Sequence, residues 1–134
     1  MLGLDSNILV RFLTRDDEQQ YKQATALLAR AEDRSLYLSV LVLIEIYWTL
    51  RRAYRRPAPD VLKALGDVVD TRQFTIEDRD LVLRAIELAM SAGVDFADVL
   101  IALRNEAAGC SATATFDHDA LRIAQMAPVA ELLK

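Results

Sequence analysis

Gly3-Leu4-Asp5-Ser6-Asn7-Ile8-Leu9-Val10-Arg11-Phe12-Leu13 decides how the rest of the chain is read. Residues 1–4 form a short apolar run that predicts a buried strand, and Asp5 ends it. Asp5 or Ser6 then caps a helix that begins near Asn7, with Ile8, Leu9, Phe12 and Leu13 apolar at helical spacing. A strand that passes through an acid directly into a helix is the junction expected at the carboxyl edge of a parallel sheet. In open α/β sheets, that edge is where sites form.

The same alternation continues outward. Residues 16–33 read as an amphipathic helix with Tyr21, Ala24, Leu27, Leu28 and Ala31 on one face. Leu36–Leu38 is a second strand, and Ser39 caps an apolar helix that runs to about Tyr54. Pro57, Pro59 and Asp60 break the chain before a helix over 60–70. A weak strand over 73–76 and a helix over 78–92 follow, the latter stopped by Gly93. A helix over 97–108 is stopped by Gly109. A strand over 111–116, a short helix over 119–125 and a last strand over 129–132 complete the reading. Short apolar strands alternating with helices predict a three-layer α/β/α sandwich around a parallel sheet of four or five strands. Repeats and flexible linkers are absent, so residues 1–134 are expected to form one domain.

Composition narrows the function. The chain has 134 residues, 16 Lys+Arg against 20 Asp+Glu, and a net charge of −4. That balance excludes a purely electrostatic nucleic-acid coat, which works by counterion release. It leaves open an enzyme that meets nucleic acid through a local patch and a metal. One cysteine, Cys110, excludes an internal disulfide scaffold; it is expected to be a small core residue. The opening residues contain no basic leader or signal core, and the longest apolar stretch is interrupted by Glu45. The expectation is a cytoplasmic protein without a membrane span.

Acids occur where they are costly. Asp5 and Asp117 each follow a predicted strand. Glu45 lies within Val40-Leu41-Val42-Leu43-Ile44-Glu45-Ile46-Tyr47-Trp48, a helix expected to be buried nearly all round. An ionised Glu there requires a partner, a cation or a cleft. Asp98 opens a helix three residues after Asp95, and the two share a face if the helix starts early enough. Carboxylates that converge repel one another, and a divalent cation removes that repulsion. Oxygen donors favour Mg²⁺ or Mn²⁺, and the chemistry suggested is metal-assisted phosphodiester hydrolysis. Structural readings compete at each position. Asp5 and Asn7 fit helix caps, Glu45 fits an ion pair with Arg51 or Arg52, and Asp98 fits a helix-dipole partner. Asp117 and Asp119 fit turn acids, and Trp48 and Tyr47 fit core or interface positions.

Taken together, residues 3–13, Glu45 on its apolar helix, Asp95-Phe96-Ala97-Asp98-Val99-Leu100-Ile101-Ala102 and Thr115-Phe116-Asp117 resemble a PIN domain. More closely, they resemble the VapC-type ribonuclease toxins of toxin–antitoxin pairs. The resemblance implies that Asp5, Glu45, Asp98 and Asp117 are the metal-holding catalytic acids, and that Asn7, Thr115 and Asp119 support them; Asp95 fits either a supporting acid or, more readily, the helix cap. It implies one or two Mg²⁺ or Mn²⁺ ions, an RNA substrate, a homodimer and a cognate VapB-type antitoxin that inserts a segment into the acidic groove. Arg11, Arg15, Arg51, Arg52 and Arg55 are candidates for RNA or antitoxin contacts, with Arg56 in the same basic run. Two other classes fit the pattern less well. A PIN-like binding module without activity would not need intact acids at all four positions. A receiver-type signalling domain needs a lysine at a late strand, and this chain has only Lys22, Lys63 and Lys134.

Overall fold

In the computed structural model, which describes Met1–Lys134 throughout, three parallel strands order the first half of the chain. They are β1 (Leu2–Gly3), β2 (Leu36–Leu38) and β3 (Phe74–Ile76), hydrogen-bonded in the order β1-β2-β3. Leu2 pairs with Leu36 and Leu36 with Phe74; Gly3 pairs with Tyr37 and Tyr37 with Thr75. Helices α1 (Ser6–Thr14) and α2 (Glu18–Arg30) connect the first two strands, and α3 (Val40–Arg52) and α4 (Ala58–Val69) the next two. These elements belong to one compact unit, Met1–Arg79.

Parallel register has a direct consequence for chemistry. Extended past the strand ends, the same register brings Asp5, Ser39 and Glu77 out along one carboxyl edge. Two of them complete the start of α3. Ser39 Oγ accepts from the Val42 N–H at 3.2 Å, and Glu77 Oε1 accepts from the Val40 N–H at 2.7 Å. Those amides have no partner inside the helix, so the two side chains replace water there.

Helix α3 departs from expectation. Val40, Leu43, Ile46, Tyr47 and Leu50 are buried, but Leu41 is 74% exposed, Trp48 is 42% exposed and Glu45 is exposed. The apolar composition suggested burial all round. The structure instead buries one stripe and leaves Leu41, Glu45, Trp48 and Arg52 on the other. Spacings of three and four residues keep each set on its own face. Glu45 therefore stays hydrated without any buried ion pair.

The second unit, Asp80–Lys134, holds nearly all of α5 (Arg79–Ala92), then α6 (Phe96–Ala107), β4 (Thr113–Thr115), a 3₁₀ turn over Asp119–Arg122, β5 (Met126–Pro128) and α7 (Val129–Leu132). Strands β4 and β5 are parallel, with Thr113 paired to Met126. Four or five strands in one parallel sheet are expected from the sequence; five short parallel strands are present, divided three and two between separate ladders. Gly93 (φ 65°) and Gly109 (φ 100°) end α5 and α6 in conformations that glycine adopts freely. Asn105 Nδ2 donates to Thr113 Oγ1 at 3.0 Å and ties α6 to β4.

Three local expectations fail in this unit. Residues 129–132 are a helix, because the last strand comes earlier and ends at Pro128, which an edge strand tolerates and whose fixed φ suits a helix start. The helix expected over 119–125 shrinks to the single 3₁₀ turn. Cys110 is exposed in the turn after Gly109 rather than in the core. No helix is long and apolar enough to cross a membrane.

The two faces of α3 give a paired prediction. Leu43→Ala removes a fully buried side chain and is expected to cost about 2–5 kcal/mol. Leu41→Ala, two residues away, is expected to stay within about 0.5 kcal/mol of the parent. Urea unfolding of the two variants checks both values.

Candidate functional site

Each unit carries its own group of acids. In the first, Asp5 caps α1: its Oδ1 accepts from the Ser6 N–H at 2.7 Å. The Ser6 hydroxyl lies 3.5 Å from the same oxygen and donates to Glu45 Oε2 at 2.7 Å. One serine thus links the acid at the end of β1 to the acid in the middle of α3. Asp5 and Glu45 are both exposed, and neither forms an ion pair. The competing structural reading, an ion pair of Glu45 with Arg51 or Arg52, does not form. Beside Ser6 opens a cleft of about 530 Å³ between α1 and α3, lined by Asn7, Val10, Arg11, Asp16, Thr49 and Tyr54 among others. Asn7 also lines a smaller cleft of about 270 Å³ between α1 and α2.

In the second unit, Asp95 caps α6 by accepting from the Asp98 N–H at 3.1 Å. Asp117 follows β4. Its Oδ1 accepts from the amides of Asp119 (2.9 Å) and Ala120 (3.4 Å), while its own N–H donates to Thr115 Oγ1 at 2.9 Å. Thr115 therefore shapes the turn that presents Asp117, whose second carboxylate oxygen takes no part in these bonds. Asp119 and His118 are exposed on the same turn.

Charge concentrates on Asp98. It is the half-buried member of the group, and burial pushes its carboxyl above the ordinary value. The negative charges of Asp95 and Asp117 push it the same way. No base is paired with Asp98. A raised carboxyl pKa means that the native fold holds this proton more tightly than the unfolded chain. The stability it contributes is present at low pH and is lost as pH rises through the raised value.

No cluster of three His, Cys, Asp or Glu side chains closes into a cage for an ion. The donors still suit one. Mg²⁺ is usually held by one or two carboxylates, with waters and substrate phosphate completing its shell. Asp98 beside Asp117, and Asp5 joined to Glu45 through Ser6, are carboxylate pairs of that kind.

The candidate arginines separate into two groups. Arg11 is engaged internally: Nε donates to Gln20 Oε1 at 2.6 Å, and Nη1 lies 3.4 Å from both Asp16 and the Tyr54 hydroxyl. Tyr54 also donates to Asp16, and Thr14 donates to the same carboxylate at 3.0 Å. Arg15 pairs with Glu18 at 3.0 Å and lies over the Tyr21 ring. Arg51, Arg52, Arg55 and Arg56 pair with no acid. Sequence reasoning left out Glu77, whose signal was an acid directly after a strand, as at Asp5. It also gave Ser6 no place in the site, although a hydroxyl beside the first acid was visible.

The PIN domain profile matches residues 3–126, which spans both units, and the chain belongs to the PIN domain family. A comparison with curated proteins gives no match. PIN domains are typically nucleases, and they generally use divalent metal ions.

Two predictions follow from the charges. Asp98→Asn relieves the repulsion and keeps the helix start, so in EDTA at neutral pH it is expected to melt no lower than the parent, and lower only in strong acid. Asp16 behaves oppositely. The Tyr54 hydroxyl chiefly, then Thr14 and Arg11, hold its carboxyl below the ordinary range. The stability from Asp16 is thus present at neutral pH and lost as pH falls through that lowered value. The melting difference between the parent and Asp16→Asn is expected to shrink on acidification and to be smaller in a Tyr54→Phe background, where Thr14 and Arg11 remain.

Proposed function

We propose that the protein is a metal-dependent endoribonuclease that serves as the toxin of a type II toxin–antitoxin pair. Its working carboxylates are Asp5 and Glu45 of the first unit and Asp98 and Asp117 of the second. The observation that carries the reading is Asp98, a half-buried carboxyl pressed by two neighbouring negative charges and matched by no base. Stable proteins rarely keep such an arrangement for structure alone, whereas functional sites use it.

A divalent ion, Mg²⁺ or Mn²⁺, supplies the positive charge that offsets this repulsion and the Lewis acidity that a phosphodiester requires. The chain's own groups do the rest. Ser6 fixes Glu45 and Asp5 in orientation. The 115–120 turn fixes Asp117, and the Asp95 cap fixes the backbone that carries Asp98. A carboxylate of the set takes the proton from the water that attacks phosphorus; the bond from phosphorus to the leaving ribose oxygen breaks, and that oxygen takes up a proton from solvent. Asn7 lines the cleft beside Ser6.

The finer reading draws on the likeness to VapC-type toxins. It includes a homodimer and a cognate VapB-type antitoxin that silences the enzyme by placing an arginine against these acids. The acids suit that role, because a guanidinium pairs with carboxylates in a bidentate fork.

Cleavage of a mixed RNA pool tests the proposal, with Mn²⁺, with EDTA and with Asp5→Asn in parallel. Asn caps a helix nearly as well as Asp, so this variant keeps its fold. Cutting by the parent in Mn²⁺ alone is expected, with the EDTA and Asp5→Asn arms at least about a hundredfold slower. Cutting that survives EDTA or Asp5→Asn, or a parent that neither binds Mn²⁺ nor cuts, overturns the reading.

A further inference from the structure

Along the outer face of α3, Glu45, Trp48 and Arg52 follow one another at spacings of three and four residues, and all reach solvent. Trp48 is 42% exposed, and the Arg52 guanidinium lies over its ring, 5.0 Å from the centroid. Arg51 turns back to donate to the Arg56 carbonyl at 2.8 Å, and Arg55 adopts a left-handed backbone (φ 51°). A chain with a surplus of acids therefore gathers four arginines in six residues and neutralises none of them with a carboxylate.

We infer that this face is a single-stranded RNA track leading to Glu45, with Trp48 as a platform for an unpaired base and Arg51, Arg52 and Arg55 as partners of the flanking phosphates. The inference rests on the endoribonuclease reading for what happens at Glu45, but not for the binding itself. Charge complementarity selects the occupant: a polyanion matches unpaired guanidiniums, which a second copy of this acidic chain matches less well. The aromatic ring between the acid and the cations adds the second requirement of single-strand binding, a flat surface that any base can cover. Arg52 over the indole holds that surface in place and adds cation–π attraction. By helix geometry, Trp48 is about 4.5 Å and Arg52 about 10.5 Å from Glu45 along the axis. A strand seated on the ring is thus within a nucleotide or two of the acid.

Trp48 is the one tryptophan in the chain, so its fluorescence reports on this face alone. The experiment titrates the full-length protein with single-stranded oligoadenylate in EDTA, where metal-dependent cutting is off. Tryptophan emission is followed beside the anisotropy of labelled RNA. Quenching that tracks binding is expected, with a weaker effect from duplex RNA. Arg51→Ala, Arg52→Ala and Arg55→Ala should each lower the slope of log K against log salt by about one. Trp48→Ala should weaken binding about tenfold, and Trp48→Phe should restore most of it. RNA that binds without changing the emission, or that does not bind at low salt, overturns the inference. So does a dimer, seen by sedimentation, that Trp48→Ala or Leu41→Glu breaks apart, because a second copy then covers this face. Cleavage is scored separately. Quenching without metal-dependent cutting keeps the track and removes the nuclease, and cutting without quenching does the reverse.

Discussion

A parallel strand cannot turn straight back, and in this chain every strand of the first ladder leads into a helix or follows one. That constraint places a helix start, with its unpaired amides, within a residue or two of β1 and β2. Side chains at those junctions have backbone N–H groups to bind. Asp5 takes the Ser6 amide, Ser39 and Glu77 take the amides of α3, and Asp117 takes those of the turn after β4. The acids are thus fixed by the fold before any ligand arrives. A structural cap does not compete with the catalytic role proposed for these carboxylates. Capping by one oxygen orients Asp5 and Asp117, and the second oxygen of each takes no part in those bonds.

Asp98 differs from the rest. Its own side chain caps nothing; Asp95 performs that task three residues earlier. What remains is a half-buried carboxyl that burial and two neighbouring acids disfavour as an anion. Under the proposed function, a divalent ion of the kind that PIN domains generally use gives this otherwise unfavourable group a reason. The contrast with Asp16 is instructive. That carboxylate is surrounded by Tyr54, Thr14 and Arg11, so it is stabilised as an anion and latches α1 to the end of α3.

Helix α3 organises the first unit in both directions. Its inner stripe of Val40, Leu43, Tyr47 and Leu50 is core, and the resulting rotation turns Leu41, Glu45, Trp48 and Arg52 outward. Burying the first set determines the exposure of the second, because a helix face is a rigid pattern. An acid, an indole and a guanidinium come into line without any of them being held by a salt bridge.

Much of this was legible in the chain itself. Strand-to-helix junctions, glycine stops and the order of elements follow from local patterns. The acids stood out because Asp after a strand and Glu within an apolar run are costly choices. Other features depended on distant partners. Sequence overstated the burial of α3, since composition does not reveal which of two apolar stripes finds a neighbour. It read residues 129–132 as a strand because four residues carry too little periodicity to separate helix from strand. It left out Glu77, whose meaning lies in a hydrogen bond to an amide 37 positions away. The sequence determined which residue types sit at which junctions, because backbone propensity and capping are local. Only the tertiary structure decided which carboxylates are hydrated, bridged by a hydroxyl or pressed together, because desolvation and Coulomb forces depend on neighbours the chain brings from far away.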